Sequence, residues 1–228
     1  MTRLLAIDTA TEACSAALWV DGALSCRYQV APRGHTDLIL PMVSELLAEA
    51  GMQLSQLDGL AFARGPGSFT GVRITIGIAQ GLAFGADLPL YGVSNLQALA
   101  QGAHRATGCT RALACIDARM GEIYVGGYDL EQGVMTLAEA EQVISPADYL
   151  EATTAARWQQ GTGSGFVSYP QLASRVDAVC ETVPFPEARD LMPQALRDHA
   201  AGLGVTAAQA QPVYLRDKVT WKKLPGRE

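Results

Sequence analysis

The chain has 228 residues, 49% of them hydrophobic and 18% charged, which excludes a disordered protein and supplies apolar side chains for one or two cores. A formal net charge of −6 excludes strong binding of bare nucleic acid by this chain alone, because phosphate neutralisation needs a basic face. The five cysteines form no CxxC pair, the apolar run ending at Asp8 is too short for a signal peptide, and no stretch approaches a membrane helix, so a cytoplasmic chain without a disulfide framework is expected.

Leu4–Ile7 reads as a buried strand ending at Asp8, and Cys14–Val20 and Ala23–Val30 flank Asp21-Gly22, the signal of a type I′ hairpin. His35–Gly51 follows as a helix, with Thr36 as N-cap, Gly51 as stop and Pro41 disturbing an early turn. Its Leu38, Ile39, Leu40, Met42, Val43, Leu46 and Leu47 cover over half the circumference, whereas a surface helix needs a stripe of about 100°. Either the helix is buried between sheet and neighbour, or one face meets the core and another a partner. Leu57–Ala63 is the next strand. It leads into Arg64-Gly-Pro-Gly-Ser-Phe-Thr-Gly-Val-Arg73, a loop punctuated by glycine, and then an apolar helix to Ala83 with Thr70 as its expected N-cap. The loop lacks the Gly-Lys-Ser/Thr ending of a nucleotide P-loop. Gly77 and Gly81 lie four apart in the helix, on one face, and allow close backbone approach either within the core or to another helix. Leu88–Val93 is a strand, and Ser94 with Gln97 forms a capping box for a helix to about Ala106.

The pattern then restarts. Ala112–Asp117 repeats the apolar strand ending in aspartate, followed by strands at Gly121–Asp129 and Val134–Ile144 and a helix opened by Ser145-Pro146. Trp158–Gln160 leads into Gly161-Thr-Gly-Ser-Gly165, and Asp190–Gly202 is a last amphipathic helix before an extended basic tail. Three strands, helix, strand, helix, stated twice, is the plan of two tandem ribonuclease-H-like domains, the α/β architecture of actin, sugar kinases and heat-shock ATPases. The expected division is 1–108 and 109–228, the first domain carrying the partner-binding helices and the last helix packing back on it.

In ATP-using proteins of that architecture, aspartates ending the first strand of each domain orient a metal–phosphate complex. Asp8 and Asp117 take those places here, with Thr9, Gly161 and Gly163 as the remaining candidates for a vestigial nucleotide cleft. The turn Thr9-Ala-Thr-Glu12 lacks the glycine that brings backbone against phosphate, and Arg119 replaces a small residue after Asp117. Weak ATP or ADP binding at most, and no cofactor, is expected. His35, His104 and His199 stand at no metal-site spacing, and no Gly-x-Ser-x-Gly elbow is present.

The stretch Gly65-Pro-Gly-Ser-Phe-Thr-Gly-Val-Arg73 resembles the signature of the bacterial TsaB family, formerly YeaZ. Ile7-Asp-Thr-Ala-Thr-Glu12, Ile116-Asp-Ala-Arg-Met-Gly-Glu122 and the tail's Trp221-Lys-Lys support the resemblance. It implies a non-catalytic subunit in tRNA threonylcarbamoyladenosine synthesis that pairs with the catalytic TsaD subunit and the ATPase TsaE, meets tRNA through the complex and forms a homodimer when alone. TsaD-type proteins bind metal through two histidines in a Gly-Val-Asn-His-x-Glu-Gly-His segment. Asn95 and Leu99 replace them here within Gly92-Val-Ser-Asn-Leu-Gln-Ala-Leu99. The expected partner interface joins the two apolar helices through His35, Ile39, Met42, Leu46, Arg73, Ile74, Gly77 and Gly81. The rival readings are a small-molecule kinase on the same fold and a peptidase.

Overall fold

Five apolar segments near the N-terminus pair into one mixed sheet, as a computed structural model describing residues 2–152 and 157–216 shows. Strands β1 (Arg3–Asp8), β2 (Ala13–Val20) and β3 (Ala23–Val30) run antiparallel, while β4 (Gly59–Ala63) and β5 (Leu90–Val93) extend the sheet in parallel from β1. The β2–β3 turn puts Asp21 at φ 48° and Gly22 at φ 100°, the two positive values a type I′ turn requires. The second sheet repeats the scheme with β6 (Arg111–Arg119), β7 (Glu122–Glu131) and β8 (Val134–Ile144) antiparallel. Strands β9 (Trp158–Thr162) and β10 (Val176–Cys180) are parallel to β6. The orders β3-β2-β1-β4-β5 and β8-β7-β6-β9-β10 are the same ribonuclease-H-like topology twice.

Helices α1 (His35–Glu49) and α2 (Phe69–Ala86) cover one face of the first sheet, and α5 (Ser164–Ser168) lies on β6. α4 (Pro146–Ala152) packs near it, against the 3-10 turn at Pro170–Arg175. The other faces are covered by exchange: α3 (Asn95–Thr107), which follows the first sheet, packs on β6–β9 of the second. α6 (Ala188–Ala200), which follows the second sheet, packs on β1, β2, β4 and β5 of the first. The two helices touch each other and form a shared central layer. Arg105 of α3 clasps the buried Asp190 of α6 through Nε at 2.8 Å and Nη2 at 2.9 Å. Leu191, Met192 and Ala195 accordingly belong to the first sheet's core, and Leu99, Ala100 and Ala103 to the second's.

Three caps differ from expectation. Ser68, not Thr70, caps α2 by accepting from Gly71 N, because the chain turns helical one residue after it. Gly34 rather than Thr36 precedes α1, without a side-chain bond. Ser94 caps α3, but Gln97 turns away to Met135 O and Gln194, so the box is half formed. Strand β10, too short and too exposed at its centre to announce itself, was not expected. The Trp221-Lys-Lys segment lies outside the described residues.

Candidate functional site

The turn after β1 and the glycine loop after β4 form one buried unit. Asp8 Oδ1 accepts from Ala10 N at 2.7 Å, and Oδ2 accepts from Asn95 Nδ2 at 3.0 Å. Asn95 Oδ1 in turn accepts from Gly65 N at 2.9 Å, and Asn95 N donates to Gly65 O. Burial pushes the Asp8 carboxyl up to about 7, and the donors from Ala10 and Asn95 offset part of that rise. Thr9 donates from Oγ1 to Gly71 O, and its N–H is taken by Thr75 Oγ1. A Cβ on Gly67 would stand 2.5 Å from Ala10 O, and one on Gly71 would stand 2.3 Å from Thr9 O. Those glycines let the start of α2 lie directly on the Thr9–Ala10 backbone. A phosphate would need that space and those N–H groups, so Asp8 and Thr9 do not fit a nucleotide-binding role.

The second half of the expected cleft is filled from its own side. Asp117 accepts from Arg119 N at 2.8 Å and from its Nη1 at 3.1 Å, while Arg119 Nη2 donates to Glu12 at 3.0 Å. One guanidinium therefore bridges the end of β6 and the turn after β1. Gly161 faces the Phe166 ring, which a Cβ would meet at 2.4 Å. Gly163, at φ 100°, lies 2.3 Å in Cβ terms from Cys115 O, a position that only glycine fills without strain. Both glycines serve packing. Asn95 is fully buried in hydrogen bonds, Leu99 is buried in the core of the second sheet, and no cluster of three metal-ligating side chains occurs among the described residues. The residues present do not fit a histidine-type metal site.

The expected interface divides into two sets. Ile39, Met42 and Leu46 turn inward onto the first sheet's core, and His35 is buried with Nε2 on Thr11 O, so these four residues of α1 do not reach a partner. Leu40, 47% exposed, is the large apolar side chain that α1 shows to solvent, with Pro41 and Ala48 also exposed. Helix α2 behaves otherwise. Arg73, Gly77 and Gly81 are exposed and Ile74 half-buried along its outer side. Beyond the helix's own backbone and the adjacent residues, no atom comes within 4 Å of a Cβ built on Gly77, Gly81 or Gly85. Phe84 beside them is 85% exposed, and Phe69 at the helix start is 67% exposed. Arg73 lies 3.2 Å over the Phe69 ring and 5.2 Å from that of Tyr214, which belongs to the C-terminal segment laid along α2. Sequence reading missed Phe84, although its position at i+7 from Gly77, with Gly81 and Gly85 at i+4 and i+8, places it on that stripe. The Arg119–Glu12 bridge spans 107 residues, and no local pattern announces it.

Residues 29–219 match a family model described as TsaD, tRNA N6-adenosine threonylcarbamoyltransferase. Over 99% of its length the chain is 49% identical to the tRNA threonylcarbamoyladenosine biosynthesis protein TsaB of Escherichia coli, covering 100% of that protein. The protein of the same name from Haemophilus influenzae is 43% identical over 99% of this chain and 98% of its own. Among solved structures, YeaZ from Pseudomonas aeruginosa is 46% identical, with a TM-score of 0.85 over 94% of this chain and 100% of that one.

Proposed function

The chain belongs to the TsaB family of tRNA threonylcarbamoyladenosine biosynthesis proteins, and on that premise we propose that it is a non-catalytic subunit whose work is to dock the catalytic TsaD subunit in the cytoplasm. In this reading TsaE joins the same assembly, tRNA is met only through the complex, and the chain pairs with itself when TsaD is absent. The outer side of α2 carries the proposal. Three glycines there are open to solvent, each costing up to about 1 kcal/mol of helix stability relative to alanine, and Phe84 is left exposed beside them. Those glycines stabilise nothing within the chain but permit close approach of another helix. Asp8, Asp117, Asn95 and Arg119, by contrast, satisfy one another and the backbone around them, so neither a kinase nor a peptidase finds a free reacting group among them.

Gly77→Glu tests the reading. The site is open, so the variant folds, while the buried unpaired carboxylate costs about 3–5 kcal/mol of association. Capture of TsaD and tRNA modification in cells lacking the wild-type copy are both expected to be lost. A folded variant that still captures TsaD and still supports modification refutes the proposed face.

A further inference from the structure

A cleft of about 530 Å³ opens between β5, the paired helices α3 and α6, and β7–β8; its Arg64 and Ser94 adjoin Gly65 and Asn95, which join the glycine loop to Asp8. Its size is that of a small-molecule site. Gly92 leaves room for the stem of Arg64, whose Cδ would lie 3.4 Å from a Cβ there. The Arg64 Nε is buried and has no hydrogen-bond partner among the described residues. The Nε atoms of Arg189 and Arg216 also lack a hydrogen bond, but those two guanidiniums pair with Glu187 and Glu122. Arg64, in contrast, forms no ion pair within 4 Å among the described residues and feels a carboxylate only at a distance, that of Asp198. An anionic group entering the cleft would complete it. Two carboxylates share the cleft. Glu141 accepts from Tyr128 Oη, and Asp198 Oδ1 accepts from Gln194 Nε2 at 2.6 Å, which leaves the second oxygen of each carboxylate free of those bonds. Arg197, at the exposed rim, is committed to Gln194 Oε1 and Thr136. Cations and anions therefore balance within the lining. A phosphate dianion would meet two like charges, and a simple cation would meet Arg64.

We propose that this cleft binds a small zwitterion of the α-amino acid class, its carboxylate on Arg64 and its ammonium on the side of Glu141 and Asp198. The site is separate from the TsaD-docking face, and its presence or absence leaves that reading untouched. The test uses the full chain and NMR, following the Arg64 Nε–Hε resonance while the twenty free L-amino acids are added at millimolar concentration. N-acetyl amino acids, amino acid amides and inorganic phosphate serve as controls. At least one free amino acid is expected to bind and shift the Arg64 resonance. Blocking either its carboxylate or its ammonium weakens binding by about tenfold or more, as do Arg64→Gln and Asp198→Asn. Should Arg64→Gln disturb the adjoining glycine loop, the half-exposed Asp198→Asn decides. The proposal is overturned if no amino acid shifts the resonance, if phosphate or an N-acetyl derivative binds as well as the parent, or if binding survives Asp198→Asn unchanged.

Discussion

Replacing Gly77 and Gly81 together by alanine separates what the fold needs from what a partner needs. Beyond the helix's own backbone and the adjacent residues, nothing lies within 4 Å of a Cβ at either position, so the two methyl groups enter open space. Each removes unfolded-state freedom and improves helix propensity, worth about 0.4–1 kcal/mol, so the double variant gains roughly 1–2 kcal/mol as a monomer. For a chain of this length that is a rise in Tm of about 2–8 °C. If another helix packs closely on this stripe, the same methyl groups overfill the contact and cost about 1–3 kcal/mol, a roughly 5- to 150-fold loss of affinity. The assay pairs thermal unfolding, at concentrations where ultracentrifugation shows monomer, with titration against TsaD. A monomer destabilised by the change would mean that the glycines serve the fold. Gained stability with unchanged affinity would mean that the docking face lies elsewhere.

Asn95→Ala removes the donor to Asp8 and the acceptor of Gly65 N, both buried, and is expected to cost about 2–5 kcal/mol in denaturant unfolding; a loss below 1 kcal/mol would show that the hub relaxes freely. The Asp8 carboxyl, pushed up to about 7 in the folded state, lies above its unfolded value near 4, so the folded state holds the extra proton between them. Stability from this group is therefore present below about pH 4, falls as pH rises, and is gone above about pH 7. Subtracting the pH–stability curve of Asp8→Asn from that of the wild type isolates the slope, and a flat difference contradicts it. Arg119, 71% exposed and at φ 62°, forms surface ion pairs, so Arg119→Gly changes stability by no more than about 1 kcal/mol. Calorimetry of that variant is expected to show no magnesium–ATP binding, since the Thr9–Ala10 turn stays sealed by Gly67 and Gly71; micromolar affinity would show the bridge to be the sole obstacle.

Local chemistry made much of the fold legible. Asp21-Gly22 announced its hairpin, the run Val134–Ile144 matched its strand to the residue, and aspartates closing two apolar runs marked the duplication. Caps were less readable, because Ser68, Thr70 and Thr36 offer the same hydroxyl, and the path of the chain before each helix decides among them. Apolar residues from Leu38 to Leu47 announced a helix with more than one stripe of apolar surface, and the structure buries Ile39, Met42, Val43 and Leu46 of them. The sequence could not say which of them met the sheet and which a partner, since burial in either needs the same side chains. The glycines show the same limit. Gly71 and Gly77 are one residue type on one helix, yet one abuts the Thr9 carbonyl and the other faces open space, a difference set by contacts more than sixty residues away in sequence.

The exchange of α3 and α6 between the sheets has a consequence for synthesis. As the chain leaves the ribosome, residues 1–93 complete five strands of the first sheet, but the helix that shields their inner face is not made until residue 200. At about 5–20 residues per second, that face waits on the order of 5–20 seconds with its apolar side chains uncovered. Meanwhile α3 has emerged with no sheet to rest on. A product ending near residue 108 is thus half a chain without half a fold, expected in the insoluble fraction, and neither half has a private melting point: the protein is finished all at once or not at all.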